Sequence, residues 1–207
     1  MRTLYFIRHA ESEANKQRIF GSRLQVPLTP AGRADAARIA AEFREMAELD
    51  GIISSPLRRA VETAQAFSEC FGCSIEQDER LVEQDLGSFS GMSYDSVKNM
   101  KEFESDPLKR WNWHAGGSGE SYSMVAERVV DFLGSLSRLP QNGSWLIVTH
   151  AVFFRLLRGA LENTLPEYPV KFPNNGEIWQ VEFRGLGEFH TIKSLMLGNS
   201  RSFTHKP

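Results

Sequence analysis

Leu4-Tyr5-Phe6-Ile7 runs directly into Arg8-His9-Ala10-Glu11, and Trp145-Leu146-Ile147-Val148-Thr149 runs directly into His150-Ala151. Both apolar runs have the length and composition of short buried strands, and a helical pattern follows each. Strands alternating with helices imply a largely parallel sheet. In open α/β sheets, ligands gather beyond the carboxyl ends of the strands. Two imidazoles delivered to that edge, one of them beside an arginine, point to phosphate chemistry rather than to packing.

The alternation continues outward from these two strands. Thr29-Pro30 reads as an N-cap followed by proline at the first helical position. Ala36, Ile39, Ala40, Phe43, Met46 and Ala47 then form an apolar stripe at helical spacing. Gly51-Ile52-Ile53-Ser54 is a short strand, and Ser55-Pro56 repeats the cap-then-proline start of a helix reaching Phe71, with Gly72 as its C-cap. Ser74 to Gln77 is a weaker strand. Val125, Val129, Phe132, Leu133 and Leu136 mark a long helix, and another runs from Val152 to Leu161. Ile178 to Phe183 alternates as a half-buried strand, and Glu188 to Leu195 is expected to pair with it through the Gly185-Leu186-Gly187 turn. The last ten residues read as a loose tail. The expected architecture is a three-layer α/β sandwich: a mostly parallel central sheet, helices on both faces, and one domain over residues 1–207. Its one interruption is an insertion at about 92–120, rich in charge and aromatics, packed over the strand ends.

Bulk properties narrow the function. Of 207 residues, 41% are hydrophobic and 24% charged, which is ordinary for a globular protein with one core. A net charge of −2 gives no footprint for nucleic acid or an anionic membrane. No apolar run reaches the roughly 20 residues of a membrane span, and the four apolar residues before Arg8 are too few for a secretory signal. Cys70 and Cys73 close a helix instead of opening one, and no second pair completes a zinc site. They read as reduced thiols of a cytoplasmic protein. No metal or cofactor is expected. The terminal strands offer an edge through which two copies could pair as a homodimer.

Phosphoryl transfer requires charge neutralisation, an in-line nucleophile and a proton for the leaving oxygen. Arginine's planar fork suits the first task, neutral histidine the second, and a carboxylic acid the third. The chain offers Arg8 and His9 at one strand end and His150 at another. Arg59 lies in the first turn of a helix, itself an anion site. Glu83 lies in the turn-rich Leu81-Val82-Glu83-Gln84-Asp85-Leu86-Gly87. Each of these has a bland explanation when taken singly. Lys98, Lys101, Lys109 and Arg110 could meet a second anionic group but read more simply as a solvated face. Trp111 and Trp113 read as packing of the insertion, with His114 a further candidate beside them.

Arg8-His9-Ala10-Glu11-Ser12, with Asn15 six residues after the histidine, resembles the signature of the histidine phosphatase superfamily, in its phosphoglycerate-mutase-like branch. Further matches fall in the family order: Pro27 to Gly32, Ser54-Ser55-Pro56-Leu57-Arg58-Arg59-Ala60, Leu81-Val82-Glu83 through Gly91, Gly117 to Ser121, and Val148-Thr149-His150-Ala151. Any one of these is weak, whereas the ordered set is specific. The resemblance implies that His9 becomes phosphohistidine. It implies that Arg8, Arg59 and His150 hold the phosphoryl oxygens, and that Glu83 serves as general acid and then base. Asn15, Arg18, Gly21 and Ala151 would contact phosphate or substrate. Arg59, not Arg58, occupies the family position.

Three departures stand out. Ala10 and Ala151 replace frequent glycines, and the Asn15–Arg18 spacing is one residue short. Mutases of the family carry a longer insertion with an Arg-Arg-Ser-Tyr element, and a Tyr-Gly-x-Leu-Gln-Gly segment after the acid. Asp106 to Trp111 and Asp85 to Gly91 reproduce neither. The resemblance therefore favours a phosphomonoesterase acting on a small phosphorylated substrate. Phosphoglycerate-mutase-type transfer is the first alternative, and a non-catalytic phosphate-ligand binding module the second.

Overall fold

Alternation along β1 (Arg2–Arg8) sets the layers. Leu4 and Phe6 point into one core, and Tyr5 and Ile7 into the other. The structure, a computed structural model, describes residues 1–171 and 173–198. After β1 come α1 (Glu13–Lys16), α2 (Pro30–Arg44), β2 (Gly51–Ser54), α3 (Arg58–Phe71) and β3 (Ile75–Gln77). The chain continues through α4 (Tyr94–Val97), α5 (Tyr122–Ser135), β4 (Ser144–Thr149), α6 (Ala151–Leu161), β5 (Ile178–Phe183) and β6 (Ile192–Met196). The sheet order is β3-β2-β4-β1-β5-β6. The first four strands in that order are parallel, and β5 runs antiparallel to both β1 and β6.

Helices α5 and α6 cover one face, where Val125, Val129, Phe132, Phe153 and Leu157 join Leu4, Phe6 and Ile147. Helices α2 and α3 cover the other, where Ile39, Phe43, Ala60 and Phe67 join Tyr5, Ile7 and Val148. The three-layer expectation holds. Strands β1 and β4 pair in one register, Ile7 with Val148 and Arg8 with Thr149. The His9 N–H donates to the Thr149 carbonyl at 3.0 Å, carrying the ladder one residue past the strands.

Local signals act as expected at several ends. The Thr29 hydroxyl accepts the Gly32 N–H at 2.8 Å, capping α2. Gly72 closes α3 with φ +71°, the left-handed conformation that glycine tolerates. Cys70 and Cys73 are free thiols that donate to the Ala40 and Leu49 carbonyls.

Three local readings are corrected. Helix α3 begins at Arg58 rather than at Ser55-Pro56, and its Leu57 cap has no side-chain bond. The Ser55 hydroxyl is engaged elsewhere, by His150. Met46 and Ala47 fall beyond the end of α2, and Met46 is exposed. Strand β6 starts at Ile192, not Glu188, because the segment before it is held by other partners. The His190 N–H donates to the Leu161 carbonyl, and its ring accepts the Arg184 N–H. The expected tail lies, from residue 199 onward, outside the described residues.

The 92–120 segment forms α4 and short 3₁₀ turns beyond the strand ends. Phe103 joins it to the flanking loops, edge-on to Trp113 at 5.9 Å and tilted against Phe20 at 6.3 Å. The start of α2 presses against the segment that follows β1. A Cβ on Gly32 would fall 2.0 Å from the Glu11 carbonyl oxygen, two residues beyond His9. Gly32→Ala must displace backbone. It is expected to cost about 1–3 kcal/mol in denaturant unfolding; an alanine variant as stable as the parent would contradict this close approach.

Candidate active site

The end of β1 supplies Arg8 and His9, and the end of β4 supplies His150 as the N-cap of α6. Because the strands are neighbours in matched register, the two imidazole rings lie 5.1 Å apart, centroid to centroid. Arg59 reaches in from the first turn of α3 and Glu83 from the loop after β3. Arg8, His9, Asn15, Gly21, Arg59, Glu83 and Ala151 border one cavity of about 270 Å³. His150 is fully buried beside His9.

His9 Nδ1 lies 2.7 Å from the Ala10 carbonyl oxygen. A carbonyl can only accept, so Nδ1 carries the proton and Nε2 keeps its lone pair. Arg59 Nε–H points at that Nε2 from 3.3 Å. The rest of the Arg59 guanidinium donates to the Ser22 and Leu24 carbonyls at 2.7 and 2.9 Å. Arg8 donates to the Pro173 carbonyl at 2.6 Å. Both arginines are thus held by neutral oxygens. Glu83 is oriented by backbone alone: its carboxylate accepts the N–H groups of Gln84, Ala151 and Val152 at 3.0–3.1 Å.

Burial and mutual proximity govern the charges. Desolvation pulls both guanidiniums down to about 10, partly offset by the Glu83 charge. At neutral pH this still leaves all but about one in a thousand of either group charged. His9 is driven well below the ordinary imidazole value, first by burial and then by Arg59 and Arg8. His150 is lowered by burial, then by Arg59, His9 and Arg8. Two imidazolium rings 5.1 Å apart would repel by about 3 kcal/mol at an effective dielectric of 20. Neutral rings between two cationic arginines are therefore the favoured state.

The remaining expected residues divide. The Asn15 side-chain oxygen is committed to Ser12, closing the capping box of α1. The Ala151 N–H goes to Glu83 and the Ala10 N–H to Thr63. Arg18 is not brought to the cavity wall. It pairs with Asp95 at 3.2 Å on the exposed side of the loop. Arg58 pairs with Glu62 in solvent, while Arg59 is buried. His114 turns to the Gly119 carbonyl at 3.0 Å, away from the cavity. Arg110 and Trp113 depart from expectation, since both line the cavity.

Sequence reasoning also passed over supporting residues. Ser55 sits 2.8 Å from His150 Nε2. Asn175, fully buried, donates to the His9 carbonyl at 2.7 Å. Arg128 binds Glu120 through two nitrogens and donates to the Arg80 and Val82 carbonyls, clamping the segment that carries Glu83. The Ser55-Pro56 dipeptide offered a signal, but it reads as a helix cap; Asn175 and Arg128 carried none. Among the described residues, no group of three His, Cys, Asp or Glu side chains is placed to hold a metal ion. No helix among them is long and apolar enough to cross a membrane.

Comparison with known proteins gives a consistent answer. The family model described as histidine phosphatase superfamily (branch 1) matches residues 4–191. A Hydrogenobacter thermophilus protein named "Putative phosphoserine phosphatase 2" is 36% identical over 155 residues, covering 72% of this chain and 73% of its own. A Salmonella arizonae protein named "Probable phosphoglycerate mutase GpmB" is 32% identical over 155 residues, covering 73% and 71%. The solved structure of YhfR from Bacillus stearothermophilus superposes with a TM-score of 0.78 at 30% identity, covering 97% of this chain and 98% of that one. With the family match reaching over nearly all of the described residues, the chain belongs to the histidine phosphatase superfamily, branch 1.

Proposed function

We propose that the protein hydrolyses small phosphomonoesters through a phosphohistidine at His9 Nε2. The observation that carries this reading is the His9 Nδ1 bond to the Ala10 carbonyl, which leaves an unprotonated nitrogen beside Arg59 at the cavity wall. In the first step the Nε2 lone pair attacks phosphorus as the bond to the ester oxygen breaks, and Glu83, in its protonated form, gives that oxygen its proton. Arg8 and Arg59 neutralise the phosphoryl oxygens, and His150, its ring 5.1 Å from that of His9, completes the set that holds them. In the second step Glu83 takes a proton from water, the water oxygen bonds to phosphorus, and the N–P bond breaks to restore His9. Asn15, Gly21 and Ala151 border the phosphate, and Arg18 is left out of the contact set. The reading places the protein in the cytoplasm, acting on small molecules and not on nucleic acid.

His9→Ala is expected to lower turnover by more than about 10⁴-fold, and acid-sensitive phosphohistidine should be trapped in rapidly quenched mixtures of the parent. Turnover without it would overturn the covalent route. Glu83→Gln should cost about 10²–10⁴-fold for alkyl phosphates, and much less for 4-nitrophenyl phosphate, whose leaving oxygen needs little protonation. Equal losses for both esters would remove Glu83 from the acid role. The GpmB-named relatives favour a second reading as a mutase; isomerisation of 3-phosphoglycerate faster than its hydrolysis would establish it.

The lowered histidines set the pH dependence. kcat/KM reports the free enzyme, so the acid limb due to His9 should fall below the ordinary imidazole value of about 6.5. Below that pH the unfolded chain binds protons that the native rings refuse. Stability is therefore full above about 6.5 and declines as the pH falls below it. Thermal unfolding between pH 7.5 and 5 should show this decline, and His150→Asn should flatten it. An unchanged slope would mean that the rings are not held neutral.

A further inference from the structure

His150 is bonded at one ring nitrogen and orphaned at the other. Its Nε2 lies 2.8 Å from the Ser55 Oγ. Its Nδ1 is buried and has no hydrogen-bond partner among the described residues. Burial and the neighbouring arginines keep the ring neutral, and a neutral imidazole has one proton to place. The nitrogen that carries it decides what the ring can offer a phosphoryl oxygen.

The bonds around Ser55 distinguish the two tautomers. A hydroxyl has one proton to give and two lone pairs to share. The Leu57 N–H donates to Ser55 Oγ at 3.3 Å and takes up one lone pair. Among the described residues, His150 Nε2 is the only acceptor bonded to that hydroxyl. If Nε2 carried the ring proton, the Ser55 proton would have no acceptor in a fully buried place, and the Nδ1 lone pair would have no donor. That tautomer leaves two buried groups unsatisfied, each at a cost. If the hydroxyl donates to Nε2, one group is left over, an Nδ1–H. The start of α6 agrees. His150 is its N-cap, yet the side chain accepts no N–H from the helix. The Ala151 and Val152 N–H groups go to Glu83 instead. A lone pair at an N-cap position would have served those donors, whereas a proton would not.

We infer that Ser55 is a positioning residue: its hydroxyl donates to His150 Nε2, fixes the neutral ring as the Nδ1–H tautomer, and so makes His150 a hydrogen-bond donor to a phosphoryl oxygen. The identity of that anion rests on the phosphomonoesterase reading; the tautomer rests on the Ser55 bonds alone. Ser55 acts through the ring and not on the substrate. The two histidines are then the same tautomer with opposite tasks. In His9 the Ala10 carbonyl takes the Nδ1 proton and frees Nε2 to attack. In His150 the Ser55 hydroxyl occupies Nε2 and frees the Nδ1 proton to donate.

The test is nitrogen-15 spectroscopy of the histidine rings in the full chain at a pH of about 7.5, above the ordinary imidazole range. Couplings between ring nitrogens and carbon-bound protons separate the two tautomers, and the His150 signals are identified by their loss in His150→Asn. The parent is expected to show His150 as Nδ1–H, and inorganic phosphate should shift the Nδ1 signal without changing the tautomer. Ser55→Ala should introduce the Nε2–H form and raise the Kd for inorganic phosphate about tenfold, the scale of one hydrogen bond to a charged group. Ser55→Thr keeps the hydroxyl and should keep the parent tautomer. Loosened packing alone would not exchange one tautomer for the other. If Ser55→Ala fails to fold, the parent spectra with and without phosphate decide. An Nε2–H signal for His150 in the parent, or a tautomer unchanged by Ser55→Ala, would overturn the role of Ser55 while leaving the phosphatase reading intact. A parent that neither binds phosphate nor hydrolyses phenyl phosphate would overturn both.

Discussion

The parallel pairing of β1 with β4 is the constraint on which the site depends. Arg8 and Thr149 are partners in the ladder, so the residues that follow them, His9 and His150, emerge side by side. A slip of two residues would separate the imidazoles by about 6.6 Å along the strand, and a slip of one would send the side chains to opposite faces. The register is specified from both sides of the sheet. Leu4, Phe6 and Ile147 must meet α5 and α6, while Tyr5, Ile7 and Val148 must meet α2 and α3. The apolar cores thereby fix a distance between two polar groups that belong to neither. The His9 N–H to Thr149 carbonyl bond extends the pairing to His9 itself.

The way the charged groups are held gives the site its sign. Arg8 and Arg59 are anchored by the carbonyls of Pro173, Ser22 and Leu24, so their orientation is fixed without neutralising them. Carboxylate anchors would have positioned them equally well but would have offset the positive field a phosphoryl group needs. The Glu83 carboxylate at the wall is held instead by the backbone N–H groups of α6 and its own loop. It therefore faces the arginines without forming an ion pair with them. Burial of the imidazoles completes the arrangement. A cationic His9 would have no lone pair to attack with, and the same arginines that attract phosphate repel a proton from that ring.

Much of this was legible in the chain. The two strand-histidine junctions and the ordered segments around Arg59 and Glu83 specify the site's principal residues, because each is a local pattern of strand, turn or helix start. What escaped reading depends on contacts between distant parts of the sequence. Ser55 looks like a helix cap, yet its hydroxyl faces His150, 95 residues away. Asn175 sits in a proline-bounded loop with no periodicity, and it braces the His9 carbonyl across 166 residues. Arg155 resembles any polar position on an amphipathic helix, and only the fold shows that its side chain is buried at a cavity. Arg18 is placed by a contact the local sequence does not announce. It lies close to the histidine motif in sequence, but its partner Asp95 draws it to the exposed side of the loop.

Helix α6 meets the cavity at two places. Its first turn fixes the proposed acid, and its second presents Arg155 to the far end of the same cavity. A rigid helix makes the separation of these two positions nearly independent of loop motion. The 92–120 segment contributes from the other side, with Arg110 and the aromatic wall, while Glu120 at its end joins Arg128 in clamping the loop that carries Glu83. Changes within that segment would therefore reach the Glu83 loop through Glu120, which binds Arg128, the Asp85 N–H and the Gln84 side chain. The strand pair at the sheet centre would be untouched. The loops around the cavity can thus vary while the two imidazoles stay fixed by the core strands.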